Sequence, residues 1–201
     1  MKLYESERSG NSLKVRIFLG ILGLKYESVT VNLHAGEGRT PEFIALNPRS
    51  QIPVLVDGKT TVWDSQAILA YLARKYGGET WLPTDAEGLA RVMQWLAVSE
   101  NELLYGLARA RAVKRMQVPW NLDQCHELGY KGLNVLESAL KKGDWLAADR
   151  PTIADLACYP YVALGHEGGI TLDGHPAVRA WLKRIENLPG YVSATGIVGQ
   201  P

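Results

Sequence analysis

Two short stretches of this sequence carry residue types that could bind an anionic, peptide-like ligand. Ile52-Pro53 precedes the predicted strand Val54–Asp57, at a position where a proline donates no hydrogen bond to a sheet. Asp64-Ser65 stands at the start of a predicted helix, where unpaired backbone N–H groups favour a negative charge. We therefore expect a strand edge and a helix N-terminus to face one pocket. Such a pocket suits an extended peptide-like ligand with a carboxylate at one end.

The elements that would position these residues alternate between strand and helix in the first third of the chain. Apolar residues at helical spacing predict helices, β-branched and aromatic runs predict strands, and Asp57-Gly58 is typical of a two-residue hairpin turn. The predicted elements are strand Lys2–Glu5, helix Ser12–Leu22, strand Tyr26–Leu33, helix Thr40–Leu46, strands Val54–Asp57 and Thr61–Trp63, and helix Ser65–Tyr76. This β-α-β-α-β-β-α order is that of a thioredoxin-like domain, and its β-α-β start predicts a parallel strand pair.

The rest of the chain is predicted to be helical. Residues 77 to 84 are rich in Gly, Pro and Thr and indicate a linker. The predicted helices after it are Ala86–Lys114, Leu122–Lys141, Ile153–His166 and Pro176–Asn187. Thr152 and Asp155 form a capping box at the start of the third of these helices. The fold class is therefore α/β followed by all-α, with a thioredoxin-like domain over residues 1–78 and a helical domain over residues 85–201.

Composition excludes several classes of function. Hydrophobic residues make up 46% and charged residues 21% of the 201-residue chain, which is ordinary for a globular protein. The net charge of +1 argues against a nucleic-acid partner. The N-terminus has no apolar run typical of a signal peptide, and no apolar stretch is long enough for a membrane span. Cys125 and Cys158 are too few for a disulfide framework or a metal site, and we expect two unpaired thiols in a cytoplasmic protein.

The proline loop and the acid–Ser pair resemble the glutathione-binding half of the cytosolic glutathione transferases. The resemblance implies a cis peptide bond before Pro53 and backbone contacts between Ile52 and the cysteine of glutathione. It also implies that Asp64 and Ser65 hold the γ-glutamyl end. The family has a similar capping box in its helical domain, so the resemblance covers nearly the whole chain. A homodimer is implied as well.

The resemblance places the residue that activates the glutathione thiol in the loop after the first strand. A thiol with a pKa near 8.5 is mostly protonated at neutral pH, and a donor at a helix N-terminus can stabilise the thiolate. Residues 3 to 17 look most like the zeta branch and certain bacterial relatives, and that alignment gives the catalytic role to Ser9, with Asn11 and Ser12 as further candidates. Zeta enzymes usually have a cysteine at the position of Asn11, and its absence here argues against the disulfide-forming branches.

The glycine carboxylate of glutathione needs a polar partner at the other end of the groove. Arg39 can chelate a carboxylate through both arms of its guanidinium group, and Gln51 could contact it through its amide. We expect the neighbouring Arg49 to face solvent.

A second substrate is expected to contact the helical domain. Tyr105 and Arg109 are four residues apart on the first long helix and so share a face, and Trp120 follows that helix. An arginine at this place would favour an acidic or electron-poor acceptor. Arg109 and Arg111 do not share a face, so at most one of them should reach a ligand.

The resemblance implies a detoxifying transferase in which the glutathione thiolate attacks a small hydrophobic or acidic electrophile. Glutathione is then a substrate, and neither a metal ion nor a separate cofactor is expected. Two alternatives stay open. One is a zeta-like cis–trans isomerase that acts on a maleyl diacid and uses glutathione catalytically. The other is a non-catalytic, transferase-like binding protein.

Overall fold

The structure, a computed structural model, describes residues 1–193 and divides into two units. One unit comprises Met1–Gly77 together with the segment that begins at Pro189, and the other comprises Gly78–Leu188. Residues 194–201, which the sequence analysis assigned to the helical domain, lie outside the described residues. Within the first unit Gly190 packs on Gly20: a Cβ on Gly20 would lie 2.5 Å from the Gly190 carbonyl oxygen. No described helix is long and apolar enough to cross a membrane.

The first unit has the predicted thioredoxin-like topology. Its elements are β1 Lys2–Glu5, α1 Gly10–Ile21, β2 Glu27–Thr30, α2 Pro41–Leu46, β3 Val54–Asp57, β4 Thr60–Trp63 and α3 Ser65–Leu72. The described strands form one sheet in the order β2-β1-β3-β4, with β1 and β2 parallel and the other pairs antiparallel. Leu3, Phe18, Leu55 and Ile68 are fully buried and come from β1, α1, β3 and α3. The alternation of helix-type and strand-type residue patterns in the sequence therefore predicted both the elements and their order.

Several boundaries in this unit differ from the prediction. α3 ends at Leu72 rather than Tyr76, where a π-helical turn, Ala73–Gly77, follows it. α1 begins at Gly10 rather than Ser12, because Ser9 caps it. β2 ends at Thr30 rather than Leu33, because the next residues turn and Asn32 Oδ1 accepts a hydrogen bond from the Ala35 backbone N–H. The hairpin turn is Gly58-Lys59 rather than Asp57-Gly58, since Asp57 still pairs with Thr60 and Gly58 takes the positive φ of 61°.

The second unit is built from helices. They are α4 Ala86–Val98, α5 Arg109–Met116, α6 Leu122–Leu140, α7 Ile153–Ala163 and α8 Pro176–Glu186. A π-helical segment, Ser99–Ala108, joins α4 to α5, so the predicted long helix is one element with a widened middle. Helix α6 packs on that segment through glycines: a Cβ on Gly106 would lie 2.3 Å from the Gly129 backbone nitrogen.

The predicted capping box is present at the start of α7. Thr152 accepts from the Ala154 N–H and Asp155 accepts from the Thr152 N–H, with both residues fully buried. Asp155 also accepts hydrogen bonds from the Leu146 backbone and from the indole of Trp181. Asp155 is therefore a structural residue of the helical unit.

Candidate glutathione-binding site

The loop before β3 is organised by a buried asparagine. Asn47 is 1% exposed; its Oδ1 accepts from the Arg49 backbone N–H at 2.9 Å, and its Nδ2 donates to the Gln51 carbonyl oxygen at 2.7 Å. These two bonds close the loop around the amide of Asn47. The peptide bond between Ile52 and Pro53 that follows is cis, which confirms the expectation from the sequence. The backbone of Ile52 therefore stands at the entrance to β3.

The start of α3 provides the second wall of the site. Asp64 Oδ1 accepts from the backbone N–H groups of Gln66 at 3.0 Å and Ala67 at 3.4 Å, so this carboxylate caps the helix. Ser65 is 2% exposed, and its hydroxyl donates to Asn11 Oδ1 at 3.2 Å. The carboxylate at the helix N-terminus thus caps α3 through Oδ1, and Ser65 connects α3 to the start of α1.

One pocket of the first unit is formed where these two elements meet. Its lining residues are Asn11, Asn47, Arg49, Gln51, Ile52, Pro53, Trp63, Asp64 and Ser65. The structure therefore brings together six site residues predicted from the sequence, which come from the first turn of α1, the loop before β3 and the start of α3. At one end the pocket is lined by the charged side chains of Asp64 and Arg49, and at the other end by the backbone of the loop at Ile52.

Three pocket residues were not recognised from the sequence as parts of the site. Arg49 was expected to face solvent and its side chain is indeed 52% exposed, but its Nη1 also lies 3.2 Å from Asp64 Oδ2 at the pocket. Trp63 lies beneath it, with the ring centroid 6.0 Å from the Arg49 Cζ. Asn47 is the buried residue that closes the loop. The Asn-Pro-Arg sequence shortly before Pro53 could have identified Asn47 and Arg49 as site residues. Whether Trp63 faces the pocket depends on the register of β4, which the sequence does not show.

Three predicted residues do not line this pocket. The Ser9 hydroxyl oxygen accepts from the Ser12 backbone N–H at 3.1 Å and so is the N-cap of α1. Ser12 is fully buried, and its hydroxyl has no hydrogen-bond partner among the described residues. Arg39 lies exposed in a 3-10 turn, Glu37–Arg39.

The loop that precedes α1 is held by a buried ion pair. Glu5 at the end of β1 accepts from Arg16 Nη1 at 3.0 Å and from the Ser28 hydroxyl at 2.8 Å. Arg16 also donates to the Glu7 carbonyl oxygen at 3.1 Å. The side chains of Glu5 and Arg16 are only 4% and 13% exposed. This pair fixes the chain just before Ser9 and Asn11.

The residues predicted for a second substrate form a cluster in the helical unit. The guanidinium carbon of Arg109 lies 4.1 Å from the ring centroid of Tyr105 and 4.6 Å from that of Trp120. Both rings are about 40% exposed, at 40% and 42%. Within residues 1–193 no carboxylate lies within ion-pair distance of Arg109. Both rings therefore lie within cation–π distance of the same guanidinium group.

The other residues considered in the helical unit, Arg111 and the two cysteines, do not form a candidate binding site. Arg111 pairs with the buried carboxylate of Glu167, which also contacts Arg115 at 3.0 Å, so Arg109 and Arg111 have separate roles as expected. Cys125 and Cys158 are both buried thiols, and neither takes part in a disulfide within residues 1–193, in line with the prediction. Burial raises the pKa of the Cys125 thiol, which keeps it protonated.

Comparison with known protein families agrees with this geometry. The N-terminal domain model of the glutathione S-transferases matches residues 1–74, and the C-terminal domain model matches residues 121–189. The chain belongs to the glutathione transferase family. Its sheet unit and its helical unit are the two domains of that family, and the resemblance stated from the proline loop and the acid–Ser pair is confirmed.

Individual relatives show which members of this family the chain resembles. Maleylacetoacetate isomerase of Pseudomonas aeruginosa is 33% identical, over 89% of this chain and 88% of that protein. A zeta-class glutathione S-transferase of Euphorbia esula is 37% identical, over 81% of this chain and 74% of that protein. A crystal structure of a Pseudomonas fluorescens glutathione S-transferase superposes with a TM-score of 0.90 at 32% identity, covering 96% of this chain and 98% of that one. The relatives include zeta-class proteins, as residues 3 to 17 had indicated.

Proposed function

We propose that this protein binds glutathione and activates its thiol for nucleophilic attack on a small acidic electrophile. The observation that carries this proposal is the convergence of the Ile52-Pro53 backbone, the Asp64-Ser65 pair and Asn11 on one pocket. The extended tripeptide pairs its backbone with Ile52 and directs its γ-glutamyl end to the N-terminus of α3, where Asp64 can bind its ammonium group and the positive end of the helix dipole favours its carboxylate. Gln51 lies at the other end of the loop, near the expected glycine moiety.

The donor to the sulfur is Asn11 in this proposal, with Ser9 as the alternative that the sequence favoured. Asn11 Oδ1 accepts a hydrogen bond from the Ser65 hydroxyl. The Nδ2 atom of the same amide therefore points away from Ser65, and its two hydrogens can be donated to another group. The Ser9 oxygen accepts the capping bond but keeps its own hydrogen, so it can also donate. Either donor, beside the N-terminus of α1, lowers the thiol pKa below about 8.5 and raises the thiolate fraction at neutral pH.

The thiolate supplies the electron pair for a new carbon–sulfur bond. In conjugation the electrophile loses a leaving group or gains a proton on the adjacent carbon, and glutathione is consumed. Arg109 supports an acidic electrophile because its guanidinium lies within cation–π distance of two aromatic rings and can take a carboxylate in the bidentate manner.

A cis–trans isomerase of a maleyl diacid is the second candidate function. The relative named maleylacetoacetate isomerase and the carboxylate-binding edge of Arg109 favour it. In that reaction the thiolate adds to the double bond, the carbon–carbon bond rotates, and elimination returns the thiolate, so glutathione is not consumed. The missing cysteine at Asn11 weighs against a typical zeta site. Conversion of maleylacetone without loss of glutathione would decide for the isomerase.

We further propose that the protein works as a cytoplasmic homodimer, as the family resemblance implies. Sedimentation velocity of the purified protein tests the assembly: a single species at the mass of one chain would contradict it.

Calorimetric titration with reduced glutathione, followed by S-methylglutathione, tests the proposed site. Asp64→Asn keeps a good N-cap but removes the pocket charge, and Asp85→Asn makes the same change at the N-cap of α4, where Asp85 accepts from the Gly88 N–H at 2.8 Å. We expect wild type and Asp85→Asn to bind alike and Asp64→Asn to bind about tenfold more weakly or worse. No binding by wild type would overturn the proposal. Binding without turnover on an acceptor panel would favour a non-catalytic protein.

A further inference from the structure

Arg49 lies across the acidic end of the candidate glutathione pocket. Its Nη1 is 3.2 Å from Asp64 Oδ2, and its Cζ is 6.0 Å from the centroid of the Trp63 ring. The side chain of Arg49 is 52% exposed and that of Asp64 is 28% exposed. The guanidinium therefore covers the carboxylate from the solvent side while keeping part of its own N–H edge in solvent.

Both carboxylate oxygens of Asp64 accept hydrogen bonds from the protein itself. Oδ1 accepts from the backbone N–H groups of Gln66 and Ala67, and Oδ2 accepts from Arg49. The bonds to Oδ1 belong to the helix cap and stay in place as long as α3 is folded. A cationic ligand group that approaches Asp64 must therefore share Oδ2 with Arg49 or displace it.

The backbone of Arg49 is fixed although its side chain is half-exposed. The backbone N–H donates to Asn47 Oδ1 at 2.9 Å, and Asn47 in turn donates to the Gln51 carbonyl oxygen at 2.7 Å. The guanidinium can thus move by rotation about the side-chain bonds of Arg49, while the backbone of that residue stays fixed at the rim of the pocket. A guanidinium displaced from Asp64 therefore stays attached to a fixed point on the wall of the pocket that Arg49 and Asp64 both line.

We propose that Arg49 is a specificity-determining residue that recognises the α-carboxylate of a zwitterionic amino-acid group, whose ammonium takes its place on Asp64. This inference rests on the proposed function, because the γ-glutamyl end of glutathione is such a group. Asp64 binds the ammonium, Arg49 binds the carboxylate through its planar pair of donors, and Ser65 borders the same end of the pocket.

The selectivity follows from counting ion pairs before and after binding. Without ligand there is one pair, between Arg49 and Asp64. A ligand with an amine alone would exchange one cation for another on Asp64 and leave Arg49 without a partner, so the number of pairs is unchanged. A ligand with a carboxylate alone would likewise exchange one anion for another on Arg49. Only a group with both charges converts one pair into two, and the site therefore favours the zwitterion.

Binding of glutathione and two analogues to Arg49 variants tests this inference. One analogue has a 4-aminobutyryl group in place of γ-glutamyl and lacks the α-carboxylate, and the other has a glutaryl group and lacks the α-amine. The variants are Arg49→Ala and Arg49→Lys, and Lys59→Ala removes an exposed cation from the β3–β4 turn as a matched control. Each dissociation constant is measured by calorimetry with the full-length protein.

Arg49→Ala should weaken glutathione binding about tenfold or more and leave the 4-aminobutyryl analogue unchanged or bound more tightly, because that analogue no longer competes with a guanidinium. Arg49→Lys should retain part of the glutathione affinity, and Lys59→Ala should bind like wild type. An unchanged glutathione constant in Arg49→Ala, or equal weakening of glutathione and the 4-aminobutyryl analogue, would overturn the role of Arg49 while the proposed function stands. Failure of wild type to bind glutathione would overturn both.

Discussion

The hydroxyl of Ser65 donates to Asn11 Oδ1 across 3.2 Å and thereby joins the N-terminus of α3 to that of α1. The two residues are 54 positions apart, yet they border the same pocket. The contact has a chemical consequence, since it uses the carbonyl side of the Asn11 amide and leaves the donor side for another group. Ser65 thus connects the γ-glutamyl end of the proposed ligand to the group that is proposed to hold its sulfur.

Asn11→Asp is expected to raise the pKa of the bound glutathione thiol. The carboxylate keeps the shape of the side chain and can still accept from Ser65, but it replaces an N–H donor by a negative charge beside the thiolate. We expect the thiol pKa to rise by about one unit or more, with about tenfold lower kcat/KM near neutral pH and partial recovery at higher pH. The pH profile of kcat/KM measures it. A profile that coincides with that of wild type would remove Asn11 from the sulfur site.

Ser9→Gly separates the capping role of Ser9 from a role in catalysis. Glycine is a tolerable N-cap and costs a few tenths of a kcal/mol relative to serine, whereas alanine costs about 1 kcal/mol. If Asn11 is the donor, Ser9→Gly keeps most of the turnover and Ser9→Ala loses stability. If the Ser9 hydroxyl is the donor, both variants lose about tenfold or more in turnover with an aryl-halide acceptor. Steady-state kinetics and thermal unfolding of the two variants distinguish these cases.

Glu5→Gln should destabilise the sheet unit strongly. It leaves the guanidinium of Arg16, which is 13% exposed, without its carboxylate, and the loss of one partner of a buried pair costs about 3 kcal/mol. Glu27→Gln is the matched control, because Glu27 pairs with Lys2 at 3.2 Å but both side chains are more than half exposed, at 59% and 51%. That change should cost less than about 1 kcal/mol. Denaturant unfolding gives both values, and equal costs would show that the buried pair has no special weight.

Acid should destabilise the protein through Asp57. Hydrogen bonds from the Lys75 ammonium at 2.7 Å and from the Tyr76 hydroxyl at 2.6 Å lower the pKa of this carboxyl to about 2. The unfolded chain binds the proton more readily, so the stabilisation is present above the ordinary value of 3.8 and is lost as the pH falls through about 2.

Asp57→Asn should therefore flatten the dependence of unfolding free energy on pH between those two values. Asp149→Asn, at a side chain that is 90% exposed, should leave that dependence as in wild type. Denaturant unfolding at a series of acidic pH values compares the three proteins. The same slope in Asp57→Asn and wild type would contradict the assignment.

Local sequence signals were sufficient for the order of elements and for much of the site. Thr40-Pro41 marked the start of α2, Thr152 and Asp155 marked the start of α7, and the proline of the cis bond was identified from its loop. Each of these features depends on residues close together in the chain, such as a cap and the N–H groups it satisfies. For the same reason the sequence could name Asp64 and Ser65 as a pair at a helix start.

Only the tertiary structure decided how distant residues share the site. It placed Asn11 rather than Ser9 on the pocket wall and brought the half-exposed side chain of Arg49 onto Asp64, 15 residues away. It also brought Arg109 within cation–π distance of Tyr105 and Trp120. Side-chain direction at such positions follows from the register of the helix and strands that carry them, and Ser9 became the N-cap because α1 begins two residues earlier than predicted. Sequence therefore determined the family and its elements, whereas packing determined which side chains meet.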